Sequence, residues 1–257
     1  MENENKKGVV CVTGEGKRDI GFLTNLPEAS ERLHIFHADL NNPKSFDEAL
    51  KGCIGVFHVA HTMDITGIEP EEVVIKRCVE ATLGILKACQ DSKTVKRVVY
   101  TSSKATAVFS GKNVDAIDES FWSDVDYCRS IKLKGTIYVA SEMETEKQAL
   151  IFSEKNGQDL VTISPSMVTG PFLTPHVPGS VEWQLTLIKG TKFRNFVFNA
   201  IPFRVAPMEI TFFDRSAGNK DQYGQVAISP MVHLVSGLGR FAEQPSLHTS
   251  SKLIVAF

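Results

Sequence analysis

A short apolar run that ends in hydroxyl side chains constrains this chain more than any other feature. The run Arg97–Thr101 has the β-branched and aromatic composition of a buried parallel strand, and Ser102 and Ser103 follow it directly. In open α/β sheets the chemistry lies at the carboxyl ends of the strands. Tyr138 opens a predicted helix thirty-five residues after Ser103. A strand-end serine and a helix-borne tyrosine can therefore meet at one site.

Strand and helix patterns alternate through most of the chain. Apolar strand patterns fall at 8–14, 33–40, 53–60, 97–101 and from 159 onward. Helical patterns fall at 20–26, 42–50, 70–92 and 138–156, and a polar loop at 118–124 precedes the last of them. Alternating strands and helices predict an α/β chain with a Rossmann-like, doubly wound parallel sheet.

The composition excludes several classes of protein. A formal net charge of −2 and the lack of a basic stripe argue against nucleic-acid binding. The apolar runs are shorter than the ~20 residues that a membrane span needs, and the polar N-terminus does not suit a signal peptide. The five cysteines form no Cys-x-x-Cys pair, which indicates reduced thiols. We expect a cytoplasmic protein without a membrane span.

Two histidine pairs are the only candidates for a metal site. His34 and His37 are three residues apart, as are His58 and His61. Both pairs lie in or beside predicted strands rather than on one helix face. No metal site is predicted.

The first predicted strand runs into Gly14, as in a dinucleotide-binding unit, but the phosphate-binding pattern does not follow. Asp19 stands where the third glycine of G-x-G-x-x-G is required, and Glu15 places a carboxylate where backbone amides would receive a pyrophosphate. Asp39 ends the second predicted strand and has two interpretations, a turn or cap residue or a contact to an adenine ring. The sequence therefore predicts a glycine turn without a phosphate cradle.

Six short motifs match one enzyme family, in the same order along the chain. They are Val10–Gly14, Val56–Ala60, Arg97–Ser103, Asp118–Asp124, Tyr138–Ser141 and Pro165–Pro171. Together they resemble the extended short-chain dehydrogenase/reductases of the NAD-dependent epimerase/dehydratase family. Within that family the resemblance is to the plant group of dihydroflavonol, vestitone, anthocyanidin and cinnamoyl-CoA reductases. It covers residues 8–190, the predicted NAD(P)-binding reductase domain.

The resemblance implies an NADP(H)-dependent oxidoreductase that reduces a carbonyl of a flavonoid or phenylpropanoid, a small phenolic substrate. It assigns the proton donor to Tyr138 and the hydrogen bond to the same substrate oxygen to Ser103. It places cofactor contacts at strand ends, at Gly14, Asp39, Leu40, Val59, Ala60, Pro165 and Val168. It also implies a lysine four residues after the tyrosine, which lowers the tyrosine pKa and holds the ribose.

Glu142 stands in the place of that lysine. Residues four apart on a helix share a face, so Glu142 puts a carboxylate beside Tyr138 and opposes ionisation of the phenol. The alternative is that Glu142 is only a surface carboxylate. Lys147 lies nine positions beyond the tyrosine, on the opposite face, and cannot replace the missing cation. Proton transfer is expected to be severely weakened.

Two further departures from the family pattern affect the fold. After Gly14 about thirty residues are absent relative to a complete βαβ unit, and with them the residues that choose NADP or NAD. In the strand order 3-2-1-4-5-6 the lost strand lies between two retained ones, so we expect the sheet to close the gap or fray. Residues 191–217 interrupt two pieces, 185–190 and 218–224, that are continuous in relatives, and the resemblance ends after His233. Residues 191–257 are expected to form an atypical, poorly ordered C-terminal segment.

Three functions remain open from the sequence. The first is the carbonyl reductase itself. The second is a non-catalytic remnant that associates with intact relatives, which the missing lysine and glycine-rich loop favour. The third is a nucleotide-sugar epimerase or dehydratase, which shares the fold but fits the motifs around Trp122 less well.

Overall fold

The strands of this chain form one parallel sheet. The computed structural model describes residues 8–14, 20–61, 68–114, 116–166, 168, 177–188 and 252–256. The strands within those ranges are β1 (Val9–Thr13), β2 (Leu33–Phe36), β3 (Cys53–His58), β4 (Arg97–Thr101), β5 (Asp159–Ile163) and β6 (Lys252–Ala256). They lie in the order β2-β6-β1-β3-β4-β5, and every neighbouring pair is parallel. This confirms the predicted α/β class with a Rossmann-like sheet.

Helices follow most strands. They are α1 (Gly21–Thr24), α2 (Ala29–Arg32), a 3₁₀-helix (Pro43–Phe46), α3 (Asp47–Leu50), α4 (Glu71–Asp91), α5 (Ala105–Val108), α6 (Val125–Ser130), α7 (Thr136–Asn156) and α8 (Gly179–Ile188). Two acidic residues, Glu71 and Glu72, lie in the first turn of α4, where their negative charges interact favourably with the positive end of the helix dipole. Gly157 ends α7 with φ 63°, a left-handed conformation that glycine adopts without strain. Among the described helices, none is both long and apolar enough to cross a membrane.

One face of the sheet is covered by α3, α4 and α7. The buried cluster joins strand side chains to helix side chains, namely Cys11, Val56, Val98, Tyr100 and Leu160 from the sheet, and Leu50, Ile85, Leu86, Cys89 and Ala149 from the helices. Helix α4 also packs along α7. This packing removes apolar surface from water and fixes α7 on the sheet, so that the first turn of α7 lies beside the strand ends.

The predicted elements agree with the structure except at a few boundaries. The strand at 97–101 matches β4, and the helix at 70–92 matches α4 within one residue at each end. The second strand was predicted to reach residue 40 but ends at Phe36. The chain turns at Asp39, whose Oδ1 accepts a hydrogen bond from the backbone N–H of Asn41 at 2.9 Å. The helix predicted at 42–50 is a 3₁₀-helix followed by α3. Helices α2, α5, α6 and α8 and strand β6 were not predicted.

The space between β1 and β2 is filled rather than closed or frayed. Strand β6 pairs with β1 on one side and with β2 on the other. The expectation of a closed gap or a frayed sheet is therefore wrong, because the five residues of β6 provide backbone partners for both β1 and β2. The domain boundary at residue 190 stays a prediction, since residues 189–251 lie outside the described residues.

Candidate active site

Ser103 and Tyr138 meet at the carboxyl end of the sheet, as the sequence predicts. The backbone N–H of Ser102 donates to the carbonyl of Ile163 at 2.8 Å, which holds the chain after β4 against the end of β5. The next residue, Ser103, accepts a hydrogen bond from the backbone N–H of Ala105 at 3.2 Å. Tyr138, in the first turn of α7, lies close enough to Ser103 for the serine side chain to lower the pKa of its phenol. The two hydroxyl-bearing residues that the resemblance assigns to the reaction are thus neighbours.

Glu142 is buried beneath Tyr138. Glu142 is only 3% exposed, so the alternative that it is a surface carboxylate is wrong. Burial, with a smaller effect from Glu146, raises the pKa of Glu142 to about 8, although the neighbouring Tyr138 and Tyr100 act in the opposite direction. At neutral pH the side chain is therefore mostly the uncharged acid. Where the resemblance implies a cation, this chain has a neutral carboxyl group.

The environment of Tyr138 holds the proton on its phenol. Burial raises the pKa of Tyr138 well above its ordinary value, and the neighbouring Glu142 raises it further. The neighbouring Ser103 lowers the pKa of Tyr138, but its effect is smaller than that of burial. A phenol with a raised pKa is a poorer proton donor to a substrate oxygen. The surroundings of Tyr138 therefore oppose release of its proton.

His61 forms the wall of the site beside Glu142. Its Nε2 lies 3.3 Å from Oε1 of Glu142, and its ring stands edge-on to Tyr138 with 6.4 Å between the ring centroids. Burial lowers the pKa of His61 to about 4, so the imidazole is neutral at neutral pH. Because both partners are uncharged there, the contact is not an ion pair. His61 supplies no positive charge in place of the missing lysine.

A second buried carboxyl group lies one helical turn further along α7. Glu146 is fully buried, and its Oε2 accepts a hydrogen bond of 2.7 Å from the Ser102 hydroxyl. Tyr100 of β4 lies beneath both carboxyl groups, and its pKa is raised by burial first and then by Glu142 and Glu146. We call Tyr100, Ser102, Tyr138, Glu142 and Glu146 the carboxyl cluster. The sequence placed Ser102 at the strand end without a role and did not indicate Glu146, although the four-residue spacing of 138, 142 and 146 was a usable signal.

Thr13 connects the ends of β1 and β3. Its fully buried Oγ1 accepts hydrogen bonds from the backbone N–H groups of Val59 and Ala60, each at 3.1 Å. Since two donors already point at this oxygen, its own hydrogen must go to Nδ1 of His58, 2.8 Å away. Nδ1 is then the bare nitrogen, and Nε2–H faces Thr82 Oγ1 at 3.3 Å. One hydroxyl thus fixes the backbone after β3 and the tautomer of His58.

The residues expected to contact a cofactor all follow strand ends on the same side of the sheet. They are Gly14 after β1, Asp39 and Leu40 after β2, Val59 and Ala60 after β3, and Pro165 and Val168 after β5. Val59 is 37% exposed and Val168 is 38% exposed, so apolar surface faces outward where the rings of a dinucleotide would lie. The described strand ends fit those rings. The predicted turn at 15–19 lies outside the described residues.

Asp39 serves a turn. Its Oδ1 accepts from the backbone N–H and the side-chain amide of Asn41, at 2.9 and 3.0 Å. Its own backbone N–H donates to Ser45 Oγ at 2.8 Å. These bonds agree with the turn interpretation, and an adenine contact from Asp39 stays a prediction.

Lys147 points away from the carboxyl cluster. Its ammonium lies 5.0 Å from the centre of the Trp122 ring, a cation–π contact on another face of α7. This agrees with the prediction that Lys147 cannot take the place of a lysine at position 142. It also explains one role of Trp122, which anchors the loop before α6 to α7.

Replacing Thr13 with valine tests the hydrogen-bond network at the strand ends. The substitution keeps the shape but leaves two backbone N–H groups and His58 without their partner, so we expect a loss of about 2–4 kcal/mol in the free energy of unfolding. Thr82→Val removes one longer contact and is expected to cost about 1 kcal/mol. Urea unfolding measures both. Equal effects of the two substitutions would contradict the central role of Thr13.

The protonation of Glu142 predicts a pH dependence of stability. Between about pH 5.5 and 7.5 the folded chain retains a proton on Glu142 that the unfolded chain has lost. Relative to Glu142→Gln, the free energy of unfolding should therefore fall by about 1.4 kcal/mol per pH unit in this window. His58 and His61 have lowered pKa values and contribute the opposite slope, but they do so equally in both proteins. Urea unfolding of Glu142→Gln should lack this slope, whereas equal slopes in both proteins would contradict a neutral Glu142.

Known proteins with similar sequences include plant reductases. Vestitone reductase from Medicago sativa is 53% identical over 178 residues, which are 69% of this chain and 55% of that protein. A dihydroflavonol 4-reductase from Medicago sativa is 42% identical over 178 residues, which cover 82% of its length. The crystal structure of vestitone reductase from alfalfa superposes with a TM-score of 0.62 and 46% identity, over 70% of this chain and 64% of that one.

These similarities extend over most of the described residues but not over whole relatives. The chain spans about half the length of vestitone reductase. The model of the 3-beta hydroxysteroid dehydrogenase/isomerase family matches residues 18–197, which include β2 to β5, Ser103 and Tyr138. The chain belongs to the 3-beta hydroxysteroid dehydrogenase/isomerase family.

Proposed function

We propose that this chain is a carbonyl-reductase-type protein that binds NADP(H) and a phenolic carbonyl compound of the flavonoid or phenylpropanoid class, with its proton-transfer step largely disabled. The observation that carries the proposal is the contact of Tyr138 with Ser103 on one side and with the buried Glu142 on the other. The first contact is the geometry that carbonyl reduction uses. The second contact places the carboxyl group of Glu142 where a cation would be needed to lower the pKa of Tyr138.

The reduction of a carbonyl needs a hydride at carbon and a proton at oxygen. A bound nicotinamide would supply the hydride. The strand-end residues that would hold the cofactor are Gly14, Asp39, Leu40, Val59, Ala60, Pro165 and Val168. In the proposal Ser103 donates a hydrogen bond to the carbonyl oxygen, and Tyr138 delivers the proton. A positioned acid of suitable pKa contributes about 10²–10⁴-fold to such a step. With its pKa raised by burial and by Glu142, Tyr138 loses most of that contribution.

A non-catalytic role is the second candidate, and the same site favours it. Both groups beside Tyr138, Glu142 and His61, are uncharged near neutral pH. A site of this kind can hold a ligand without turning it over. In this alternative the chain acts by associating with intact relatives.

A cytoplasmic location is part of the proposal. All five cysteines lie among the described residues, and each is buried and free. Free thiols agree with a reducing compartment.

Restoring a lysine at position 142 tests the proposed defect. Glu142→Lys would place an ammonium beside Tyr138 and next to Glu146, which can neutralise it. We expect NADPH-dependent reduction of dihydroflavonols or isoflavanones to rise by at least about 100-fold in kcat. Glu154→Lys is the matched control, because it makes the same substitution at an exposed position of α7. The control should leave the rate unchanged.

Cofactor binding separates the two candidates. NADPH fluorescence is titrated against the unmodified chain and against Glu142→Lys. Saturable binding to both proteins with activity in the variant alone supports a reductase with one disabled step. Binding to both without activity in the variant would contradict the role given to Glu142. No enhancement with either protein at millimolar NADPH would leave only the non-catalytic candidate.

A further inference from the structure

Strand β6 lies in the interior of the sheet although it is far from its neighbours in sequence. Its five residues pair in parallel with all five residues of β1, from Val9 with Lys252 to Thr13 with Ala256. On its other side, the four residues from Leu253 to Ala256 pair with β2. An interior strand has both of its backbone edges satisfied, whereas each neighbour would present an unpaired edge in its absence.

Strand β2 depends on β6 for its backbone pairing. Among the described strands, β2 pairs only with β6. The backbone ladder that joins β2 to β1, and through β1 to the rest of the sheet, therefore passes through β6. Partly buried side chains near β2, namely Phe36, Ala38 and Leu40, also pack against the core. Their packing is the main remaining attachment of this part of the chain.

We propose that the space between β1 and β2 is a strand-acceptor site for an extended peptide in parallel register, and that its occupant is the Lys252–Ala256 segment of the same chain. Recognition by strand addition uses backbone hydrogen bonds, which any extended peptide without proline can make. The segment Leu253-Ile-Val255 has the β-branched and apolar composition that strands favour. The acceptor offers two edges instead of one, so a five-residue occupant is paired on both sides.

The occupant also sets a distance at the candidate active site. Gly14 follows β1, and Asp39 and Leu40 follow β2, on either side of β6. Two strand spacings of ~4.8 Å place β1 and β2 about 10 Å apart. Loss of the occupant would let the two groups of residues move relative to each other. This consequence rests on the proposed function, whereas the acceptor site itself does not.

A disulfide in the full chain tests the acceptor and its occupant. Cys11 and Ile254 are partners in the ladder between β1 and β6. Paired positions in neighbouring strands lie within the Cα separation that a disulfide spans. The chain carrying Ile254→Cys is oxidised with diamide, and the product is mapped by non-reducing gel and peptide mass. Val255→Cys is the matched control, because its ladder partners are Val12 and Ile35.

We expect most of the Ile254→Cys protein to form an intramolecular disulfide between Cys11 and the introduced cysteine, and at most about one tenth as much cross-linking of Cys11 in the control. An intermolecular disulfide would overturn the assignment of the occupant to the same chain. Equal cross-linking of Cys11 in the two variants, or none in either, would overturn the register and the acceptor site. Each outcome is independent of cofactor binding and of activity, so it leaves the proposed function untouched.

Binding of a free peptide provides a second test in the full chain. Ile254→Pro removes a ladder donor from the occupant and should vacate the site. A labelled peptide with the sequence of residues 251–257 is then expected to bind this variant at least about tenfold more tightly than it binds the unmodified chain, by fluorescence anisotropy. The same peptide with proline in place of isoleucine is the control. Equal binding of both peptides, or no binding to a folded variant, would overturn the proposal. If the variant does not fold, the disulfide result decides.

Discussion

The packing of α7 across the carboxyl ends of β4 and β5 determines the chemistry of this chain. It buries one face of the helix, so that Tyr138, Glu142 and Glu146 face Tyr100 and the residues that follow β4. A charge in that position would lose its hydration, and the described environment contains no cation to compensate for the loss. The acid therefore retains its proton at neutral pH, which is the main reason that Tyr138 is positioned but not activated. The same packing that builds the site thus limits what the site can do.

The residues that hold the strand ends together are different from those proposed to carry the reaction. Thr13, His58 and the backbone after β3 form a fully bonded network that preserves the architecture of the strand ends. The hydroxyls of Ser103 and Tyr138 remain in contact. Family membership rests on the match of residues 18–197 to the family model. In the proposed function, activity depends on one further positive charge, and position 142 carries a carboxyl group in its place.

The sequence predicted the parts of the structure that rest on local patterns. Strand β4 and helix α4 have clear periodicity, and the meeting of Ser103 with Tyr138 follows from the rule that parallel strands end on one side. The burial of Glu142 could not be decided, because a four-residue spacing identifies a shared face but not what covers it. Strand β6 was missed for another reason. Five residues in a segment without a regular pattern gain their partners only from β1 and β2, which are distant in sequence.

The protonation state of Glu142 can be measured directly. Carbon-13 NMR of the chain labelled at glutamate carboxyl carbons follows each side chain through a pH titration, and the spectrum of Glu142→Gln identifies the resonance by its absence. The account predicts that this carboxyl group titrates with a pKa of about 8 and is uncharged at pH 6.5. A resonance that is already fully ionised at pH 6.5 would contradict it, because Tyr138 would then lie beside a permanent anion.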